Sequence, residues 1–397
     1  MVKKGVSAGA VLGAAFLMAT SAIGPGFLTQ TAVFTEQLLT SFGFVILMSI
    51  LLDIGAQLNI WRIITMTKKP GQELADQVLP GLGVFITFLI VLGGFAFNIG
   101  NIAGTGLAVN VLTGISPEWG AVISAAFAIL IFLSKDLGSK IDLTAKILGG
   151  LMILLTAYVA VTTKPPVGEA LYRTFVPAKV DFLAIVTLVG GTVGGYITFA
   201  GGHMLLDAGV VGEENLAEVT KSSVSGIIIA GLMRVLLFLA VLGVVAKGHA
   251  LDPSNPPASA FKIAAGTVGY KLFGLVLWAA AITSVIGSAY TSMSFLKTYS
   301  KKVRENYNIA IIVFVLLSLA VFVTVGKPVK LLILAGAFNG LILPVTLTAM
   351  LLVLRKKELF GNYRHPVWLT IFGVVVALAV GYFGIVSFKD QFLKLLS

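Results

Sequence analysis

The sequence has no cysteine and only three histidines, His203, His249 and His365. Without cysteine, the chain has no disulfides, thiolate metal sites or thiol nucleophiles, and so few histidines argue against a histidine-rich metal site. Charged residues are also scarce, at 11% of the 397 residues. Because soluble proteins carry about 25% charged residues, the composition excludes an ordinary soluble protein.

Apolar residues are abundant instead, at 57% of the chain, and the mean hydropathy is +1.01. A bilayer is crossed by about 20 apolar residues. At about 35 residues for each span and its connection, we predict an all-α membrane protein with about 11 transmembrane helices and no separate catalytic domain. The predicted spans are 8–38, 43–66, 81–109, 118–134, 142–163, 182–208, 223–247, 270–296, 307–326, 330–354 and 366–387. The stretches Lys68–Pro80 and Lys164–Asp181 are predicted to be ordinary connections.

The formal net charge of +11 comes from lysines and arginines that lie mostly between the spans. There they orient helices and meet anionic lipid, so we attribute the charge to the lipid bilayer and not to nucleic acid. Alternate connections hold most of these residues, including Lys301–Arg304 and Arg355–Lys357. We therefore expect an integral protein of a bacterial plasma membrane with a cytoplasmic N-terminus and, after an odd number of spans, an outside C-terminus.

Two predicted spans are interrupted at corresponding places. The first contains Gly24-Pro25-Gly26 and the sixth contains Gly190–Gly195. Proline removes a backbone donor and glycine tolerates unwinding. Matched interruptions in two halves are typical of inverted-repeat secondary transporters, although close helix packing is an alternative use of glycine. We expect a first repeat in 1–163, a second in 182–354 and an extra helix in 366–387.

At these residues the chain resembles the natural resistance-associated macrophage protein (Nramp) family of divalent-metal transporters. Gly24-Pro25-Gly26-Phe27 stands in the place of the family's Asp-Pro-Gly-Asn, and Thr192–Ile197 in that of Thr-Val-Met-Pro-His-Asn. The stretch Gly100–Gly114 resembles the family's helix 3, and Phe338-Asn339 its helix 10. The resemblance implies a leucine-transporter-like 5+5 inverted repeat with broken helices 1 and 6.

The departures from the family pattern fall on its chemistry. The counterparts of the family's metal-binding Asp, Asn and Met are Gly24, Phe27 and Gly194. The acidic pair that the family uses for proton movement falls on Asn98 and Asn101. A carboxylate, an amide oxygen and a thioether together hold a transition metal. Since none of them remains, the resemblance implies the scaffold without its metal site or proton relay.

An unwound glycine segment exposes N–H groups, and the helix that follows presents the positive end of its dipole. Ala22–Gly26 also resembles the Ala-Val-Gly-Leu-Gly segment with which sodium-coupled amino-acid transporters of this fold hold a substrate carboxylate. We therefore expect an anionic group to bind here. The candidate substrate-binding residues are Gly24, Gly26, Phe27, Asn98, Asn101, Gly194, Gly195, Tyr196 and Asn339.

A candidate sodium site comes from a second similarity. Ala280–Ser284 resembles the Ala-x-x-Thr-Ser pattern that supplies sodium ligands in that fold, where carbonyls from helix 1 complete the shell. Hydroxyl and carbonyl oxygens suit a hard monovalent cation. The alternative is that the hydroxyls bond to their own helix. The candidate ligands are Thr20, Ile23, Thr283 and Ser284.

We predict a secondary-active transporter that works by alternating access, with sodium-coupled uptake of a small organic anion or amino-acid-like solute and no cofactor beyond a bound sodium ion. The sequence has no phosphate loop and no catalytic constellation, which argues against an ATP-driven pump and against an enzyme. The alternative substrate is a divalent, magnesium- or manganese-like cation. Without a carboxylate its charge would be poorly compensated.

The intramembrane charges Asp53 and Arg234 are predicted to form a structural or gating pair.

Overall fold

A computed structural model describes residues 24–396, with side chains described for 24–134 and 147–387. Within that part, all regular secondary structure is helical. The helices are α1 (Pro25–Leu38), α2 (Phe42–Thr67), α3 (Gly71–Val78), α4 (Leu82–Thr113), α5 (Pro117–Leu133), α6 (Lys135–Thr163), α7 (Val167–Phe175), α8 (Phe182–Thr192), α9 (Gly195–Asp207), α10 (Leu216–Val245), α11 (Pro256–Tyr299), α12 (Lys301–Glu305), α13 (Tyr307–Val325), α14 (Pro328–Val353) and α15 (Val367–Leu396).

Each predicted span has a helix at its place, so the prediction of an all-helical membrane protein is confirmed. The number of spans differs. In the described part, eight helical stretches are long and apolar enough to cross a bilayer, or nine if Ile147–Thr163 and α7, bent by 105°, count as one. Pro25–Thr67 counts as one stretch of 43 residues because α1 and α2 are joined by a single 3-10 turn. The helix α5 has 17 residues and is only about 26 Å long.

The two stretches predicted as ordinary connections each contain a short helix, α3 and α7, which the sequence analysis did not predict. In α3, Leu74 is buried in the core, while Asp76 accepts hydrogen bonds from Gly81 N at 3.1 Å, Gly83 N at 2.8 Å and Tyr299 Oη at 2.7 Å. These bonds fix the start of α4 to the end of α11. A short amphipathic helix escapes a search for long apolar runs because it is only eight residues long and half polar.

The interrupted helices lie in the interior. In α1, Phe27, Leu28 and Thr31 are buried although they point in different directions, as is typical of a helix surrounded by protein. It contacts α4, α10, α11 and α14, and α8 packs along α14. By contrast, α13 and α15 expose large apolar side chains such as Leu317 and Leu378, so these helices form the lipid-facing surface.

The described residues begin at Gly24, so the first half of the predicted first span lies outside them. The division into repeats 1–163 and 182–354 and the orientation of the termini stay predictions.

Candidate functional site

The segment predicted as the first break, Gly24–Gly26, consists of Gly24 and the first two residues of α1, and we keep the name first break for it. Gly24 is extended (φ −89°, ψ 178°), and no side chain caps the helix start. The N–H groups of Gly26 and Phe27 therefore have no acceptor within the helix and lie at its positive end. A Cβ built on Gly24 would lie 3.7 Å from Ser284 Oγ and 3.9 Å from Asn101 Oδ1. The fold thus brings together three predicted site residues from α1, α4 and α11.

The second break is Val193–Gly194, between α8 and α9. The N–H groups of both residues donate to Val189 O at 2.9 Å, and Thr198 donates to Val193 O through its N–H, at 3.1 Å, and through its hydroxyl. These local bonds satisfy the backbone groups that an interruption frees. The structure confirms an interruption within the predicted segment Gly190–Gly195, although only Val193 and Gly194 lie outside the helices.

The glycines around the second break pack directly against α14. A Cβ on Gly190 would overlap the carbonyl oxygen of Gly336 and the amide nitrogen of Gly340. A Cβ on Gly195 would overlap the side chain of Ile342. The backbones of α8 and α14 therefore approach more closely than side chains permit, which explains the glycine requirement on both helices.

Asn339 of α14 lies beside the second break. Its Nδ2 donates to Gly93 O and Ala335 O, both at 3.0 Å, and its buried Oδ1 has no hydrogen-bond partner. A Cβ on Gly194 would lie 2.8 Å from Asn339 Cβ. The predicted proximity of Asn339 to the helix 6 interruption is therefore present, with an acceptor oxygen still available.

Asn98 and Tyr196 are joined through α11. Asn98 donates to Ser318 Oγ at 3.0 Å and accepts from Ser288 Oγ at 2.9 Å, and Tyr196 Oη donates to Ser288 O at 3.3 Å. All four side chains are buried. Asn98 thus holds α4, α11 and α13 together. Asn101, one turn further along α4, makes no side-chain hydrogen bond to any described residue.

A serine stripe, Ser284, Ser288 and Ser292, follows one face of α11. The four-residue spacing places the three hydroxyls above one another. Ser284 faces the first break, while Ser292 lies against Tyr196, since a Cβ on Gly94 would meet the side chains of both. The stripe therefore connects the two breaks along a neutral polar path. Sequence reasoning missed Ser288 and Ser292, although their regular spacing in an apolar span was a usable signal.

Gln30 is a second residue that sequence reasoning missed. Its Nε2 donates to Leu332 O at 3.1 Å, and its buried Oε1 has no hydrogen-bond partner. Cβ atoms built on Gly26 and Gly191 would lie 3.5 Å from its Nε2 and 2.6 Å from its Oε1. Gln30 thus lies between the two interrupted spans. A lone amide in an apolar span is itself a functional signal.

The candidate sodium ligands are only partly described. Thr283 donates its hydroxyl to Ala279 O and Ala280 O, both at 3.0 Å, within its own helix. Ser284 faces Gly24. Thr20 and Ile23 lie outside the described residues. The sodium site therefore stays a prediction.

The intramembrane charges lie on the other side of α1. Asp53 of α2 and Arg234 of α10 are 1% and 2% exposed. The Arg234 guanidinium carbon lies 4.3 Å from the centre of the Phe27 ring. Together with Thr192, the last residue of α8, these side chains line a cavity of about 10 Å³. We call it the arginine cavity, and it adjoins both breaks because Phe27 and Thr192 are their immediate neighbours in sequence.

No group of three or more His, Asp or Glu side chains that could hold a metal ion occurs among the described residues. The histidine nearest to the second break, His203, stacks on Phe295 with ring centres 4.2 Å apart. His365, in the connection before α15, contacts Asn59 Oδ1 at 3.0 Å and Tyr363 Oη at 3.2 Å. Burial, helped by the positive charge of Arg62, lowers the pKa of His365 to about 4. No described histidine is therefore placed to bind a cation at the breaks.

A larger cavity of about 490 Å³ lies elsewhere, between α4, α5 and α11. Its lining, which includes Leu112, Phe127 and Leu130, is apolar, and Trp278 Nε1 donates to Ser124 Oγ at 3.0 Å. A polar solute finds almost no hydrogen-bonding group there, so this cavity is not the candidate site.

A membrane protein with an interrupted interior helix beside buried polar side chains has a feature typical of secondary transporters. A family model described as "Natural resistance-associated macrophage protein-like" matches residues 15–388. The chain therefore belongs to the Nramp family, a family of membrane transporters, and the resemblance stated from the sequence is confirmed.

Two relatives match nearly the whole chain. The "Uncharacterized membrane protein YcsG" of Bacillus subtilis is 60% identical over 395 residues, which are 100% of this chain and 98% of the relative. An "Uncharacterized membrane protein" of Haemophilus influenzae is 58% identical over 373 residues, 94% of each chain. This chain is therefore similar to both relatives over nearly their whole length.

Solved structures confirm the predicted leucine-transporter-like fold. A crystal structure of a mutant of the Eremococcus coleocola manganese transporter is similar over 100% of this chain and 90% of that chain, with a TM-score of 0.74 and 15% identity. MhsT in complex with L-phenylalanine is similar over 95% and 98%, with a TM-score of 0.64 and 16% identity. Mhp1 with bound bromovinylhydantoin is similar over 96% and 92%, with a TM-score of 0.58 and 14% identity. At these identities the likeness concerns the fold alone.

Proposed function

We propose that this Nramp-family chain is a secondary-active transporter that moves a small organic anion or amino-acid-like solute by alternating access. The solute binds where the first break meets Asn101 and Ser284. The observation that carries the proposal is the chemistry of this meeting point, which consists of a helix start without a cap, an amide and a hydroxyl. Such a set of neutral donors binds a carboxylate well.

The donors at the first break are suitably placed for one anionic group. The N–H groups of Gly26 and Phe27 point toward the start of α1 and have no helical acceptor. Asn101 is 7% exposed and makes no side-chain hydrogen bond to the described residues. Its amide can therefore reach a solute without breaking a hydrogen bond to any described residue. This distinguishes Asn101 from Asn98.

A divalent metal ion is a poorer match to the same residues. Two positive charges in a low-dielectric interior need anionic ligands to offset their lost hydration. Transition metals also favour carboxylate, imidazole or sulfur ligands. The described residues of α1, α4, α9 and α11 at the breaks supply only amides, hydroxyls and backbone groups.

Coupling to sodium is part of the proposal. Ser284 lies beside Gly24, and a serine hydroxyl with backbone carbonyls forms a shell of hard oxygen ligands. A sodium ion next to the first break would also offset the charge of a bound carboxylate. Sodium and solute would then bind cooperatively.

The second candidate substrate is a divalent cation of the magnesium or manganese kind. Family membership and the fold shared with a manganese transporter favour this candidate more directly than they favour an organic anion. A hydrated ion that keeps several waters would use the oxygens of Asn98, Asn101 and Tyr196 and backbone carbonyls. Its retained waters would replace the missing soft ligand.

Thermal stabilisation of the purified protein separates the two candidates, because a ligand that binds only the folded state raises its stability. The panel contains monocarboxylates and amino acids, manganese and magnesium chloride, each in sodium and in potassium buffer. We expect carboxylates to raise the melting temperature, more so in sodium, and Asn101→Ala to reduce that rise. The matched control is Asn110→Ala, which removes an amide near the C-terminal end of α4. Stabilisation by manganese or magnesium alone would contradict the proposal.

A further inference from the structure

The arginine cavity contains the charges Asp53 and Arg234, which the site at the first break does not use. Both side chains are at least 98% buried, at 1% and 2% exposure. Both side chains line the same small cavity, yet no nitrogen–oxygen contact within 4.0 Å joins these two described residues. They are therefore oppositely charged neighbours and not a closed salt bridge.

Several of their polar atoms have no hydrogen-bond partner. These are Nε and Nη2 of Arg234 and Oδ1 of Asp53. A buried charge without hydrogen bonds costs several kcal/mol, and a scaffold pair avoids that cost by direct contact. The Phe27 ring, 4.3 Å from the guanidinium carbon, covers the face of Arg234 and leaves the N–H edge for another group.

The position of the cavity ties it to transport. Phe27 follows the first break directly, and Thr192 precedes the second. Any movement of α1 or α8 at a break therefore changes the shape of the cavity. Its present volume of about 10 Å³ has room for about one water-sized group.

We propose that the arginine cavity is an anion subsite in which Arg234 binds a second carboxylate of the transported solute and Asp53 is the counter-charge that this carboxylate replaces. The inference rests on the proposed function and adds a residue that recognises the solute. Guanidinium N–H groups bind carboxylate oxygens strongly and with defined geometry. The solute extends from the neutral donors of the first break past Phe27 to Arg234.

Charge balance makes this binding depend on pH. With Asp53 ionised, an added carboxylate would leave two negative charges beside one guanidinium. When Asp53 takes up one proton from solvent and forms a carboxyl O–H, the protonated Asp53, the Arg234 guanidinium and the bound carboxylate together carry no net charge. Among the residues with described side chains, Arg234 is the one charged group identified as acting on Asp53. Anion binding is therefore linked to uptake of one proton.

The test measures anion affinity by thermal-shift titration of the purified full chain. The probes are acetate, lactate, alanine and succinate as sodium salts, with sodium chloride and sodium sulfate as inorganic anions and manganese chloride as the metal. Each is titrated from about pH 8 to about pH 6. The variants are Arg234→Gln, Arg234→Lys and Asp53→Asn. Arg62→Gln is the matched control, because Arg62 joins the same two helices through Thr220 Oγ1 at 2.8 Å.

We expect at least one carboxylate to bind the unmodified protein more tightly as the pH falls. Arg234→Gln should weaken this binding about tenfold or more, the loss expected for hydrogen bonds to a charged group. Asp53→Asn should keep or strengthen binding and remove its pH dependence. Arg62→Gln should leave both unchanged. A merely structural pair predicts the same sign for Arg234→Gln and Asp53→Asn, so opposite signs support the subsite.

Three results would overturn the inference. Equal carboxylate binding by the unmodified protein and Arg234→Gln would refute the subsite and leave the proposed function standing. Binding of chloride alone, lost in Arg234→Gln, would refute a solute carboxylate. Binding of manganese without any carboxylate would refute the proposed function together with the subsite. If Arg234→Gln does not fold, Arg234→Lys decides, because it keeps the charge but loses the paired N–H geometry.

Discussion

The two breaks differ in how much space surrounds their glycines. At the first break, Cβ atoms built on Gly24 and Gly26 have no neighbour among the described residues closer than 3.7 Å and 3.5 Å, an ordinary contact distance. At the second break, Cβ atoms on Gly190, Gly194 and Gly195 would overlap α14 or the backbone of α8 itself.

This difference separates two uses of glycine. The second break needs glycine because helices pack there at backbone distance, as in other membrane bundles. Packing against the described residues does not require glycine at the first break. A Cβ on Gly24 would instead come within ordinary contact distance of Ser284 Oγ and Asn101 Oδ1. This difference supports the proposal that the solute binds at the first break, while the second break packs against α14.

The largest effect is expected from Gly190→Ala. The methyl group would overlap the backbone of Gly336 and Gly340, which cannot move aside as a side chain does. We expect a loss of about 3 kcal/mol of stability, measured as a fall in melting temperature. Gly287→Ala on α11, where the Cβ has no described atom within 4 Å, is the control. A Gly190→Ala variant as stable as the control would remove the distinction between the breaks.

Asn98→Ala should have the next largest effect on stability. It removes two buried hydrogen bonds and leaves the hydroxyls of Ser288 and Ser318 without that partner, at a cost of about 2 kcal/mol. Asn101→Ala, one turn away, should leave the melting temperature nearly unchanged and raise the substrate concentration for half-maximal uptake. The reverse pattern in thermal unfolding and uptake would show that the roles of the two amides are exchanged.

Tyr196→Phe should cost about 1 kcal/mol, because it removes one hydrogen bond at 3.3 Å to Ser288 O while the ring keeps its packing. Thermal unfolding measures this directly. A loss several times larger would mean that the hydroxyl holds the second break together.

Gly24→Ala should have the smallest effect on stability. The extended backbone at Gly24 admits alanine, and the lost capping preference is offset by lower entropy of the unfolded chain, so the net change is within about 1 kcal/mol. Uptake should nevertheless fall severalfold, because the methyl group points toward Ser284 and Asn101. Unchanged uptake would place the solute away from the first break.

The sequence alone predicts most of the helices, because long apolar runs and charged connections determine where a chain crosses a bilayer. Span 43–66 corresponds to Phe42–Thr67, and span 307–326 to Tyr307–Val325. The sequence does not predict α3 and α7, because short amphipathic helices depend on packing that hydropathy does not report.

For the site, a glycine or proline run marks where a helix breaks, and the interruption between α8 and α9 is predicted at the correct segment. The residues before Gly24 lie outside the described part, so the interruption of the first span stays a prediction. The partners of the site residues depend on three-dimensional approach. Nothing in the sequence shows that Asn98 is engaged by Ser288 and Ser318 while Asn101 has no such partner. The regular spacing of the serine stripe is visible in the sequence. That the stripe faces the two breaks is shown only by the structure.

The most direct test of the central claim is solute uptake into proteoliposomes that contain the purified protein. The claim predicts sodium-stimulated uptake of a carboxylate that stabilises the protein, reduced by Gly24→Ala and Asn101→Ala, with no uptake of manganese. Manganese uptake that needs no sodium and survives substitution of Tyr196 and Asn339 would contradict it and establish the divalent cation as the substrate.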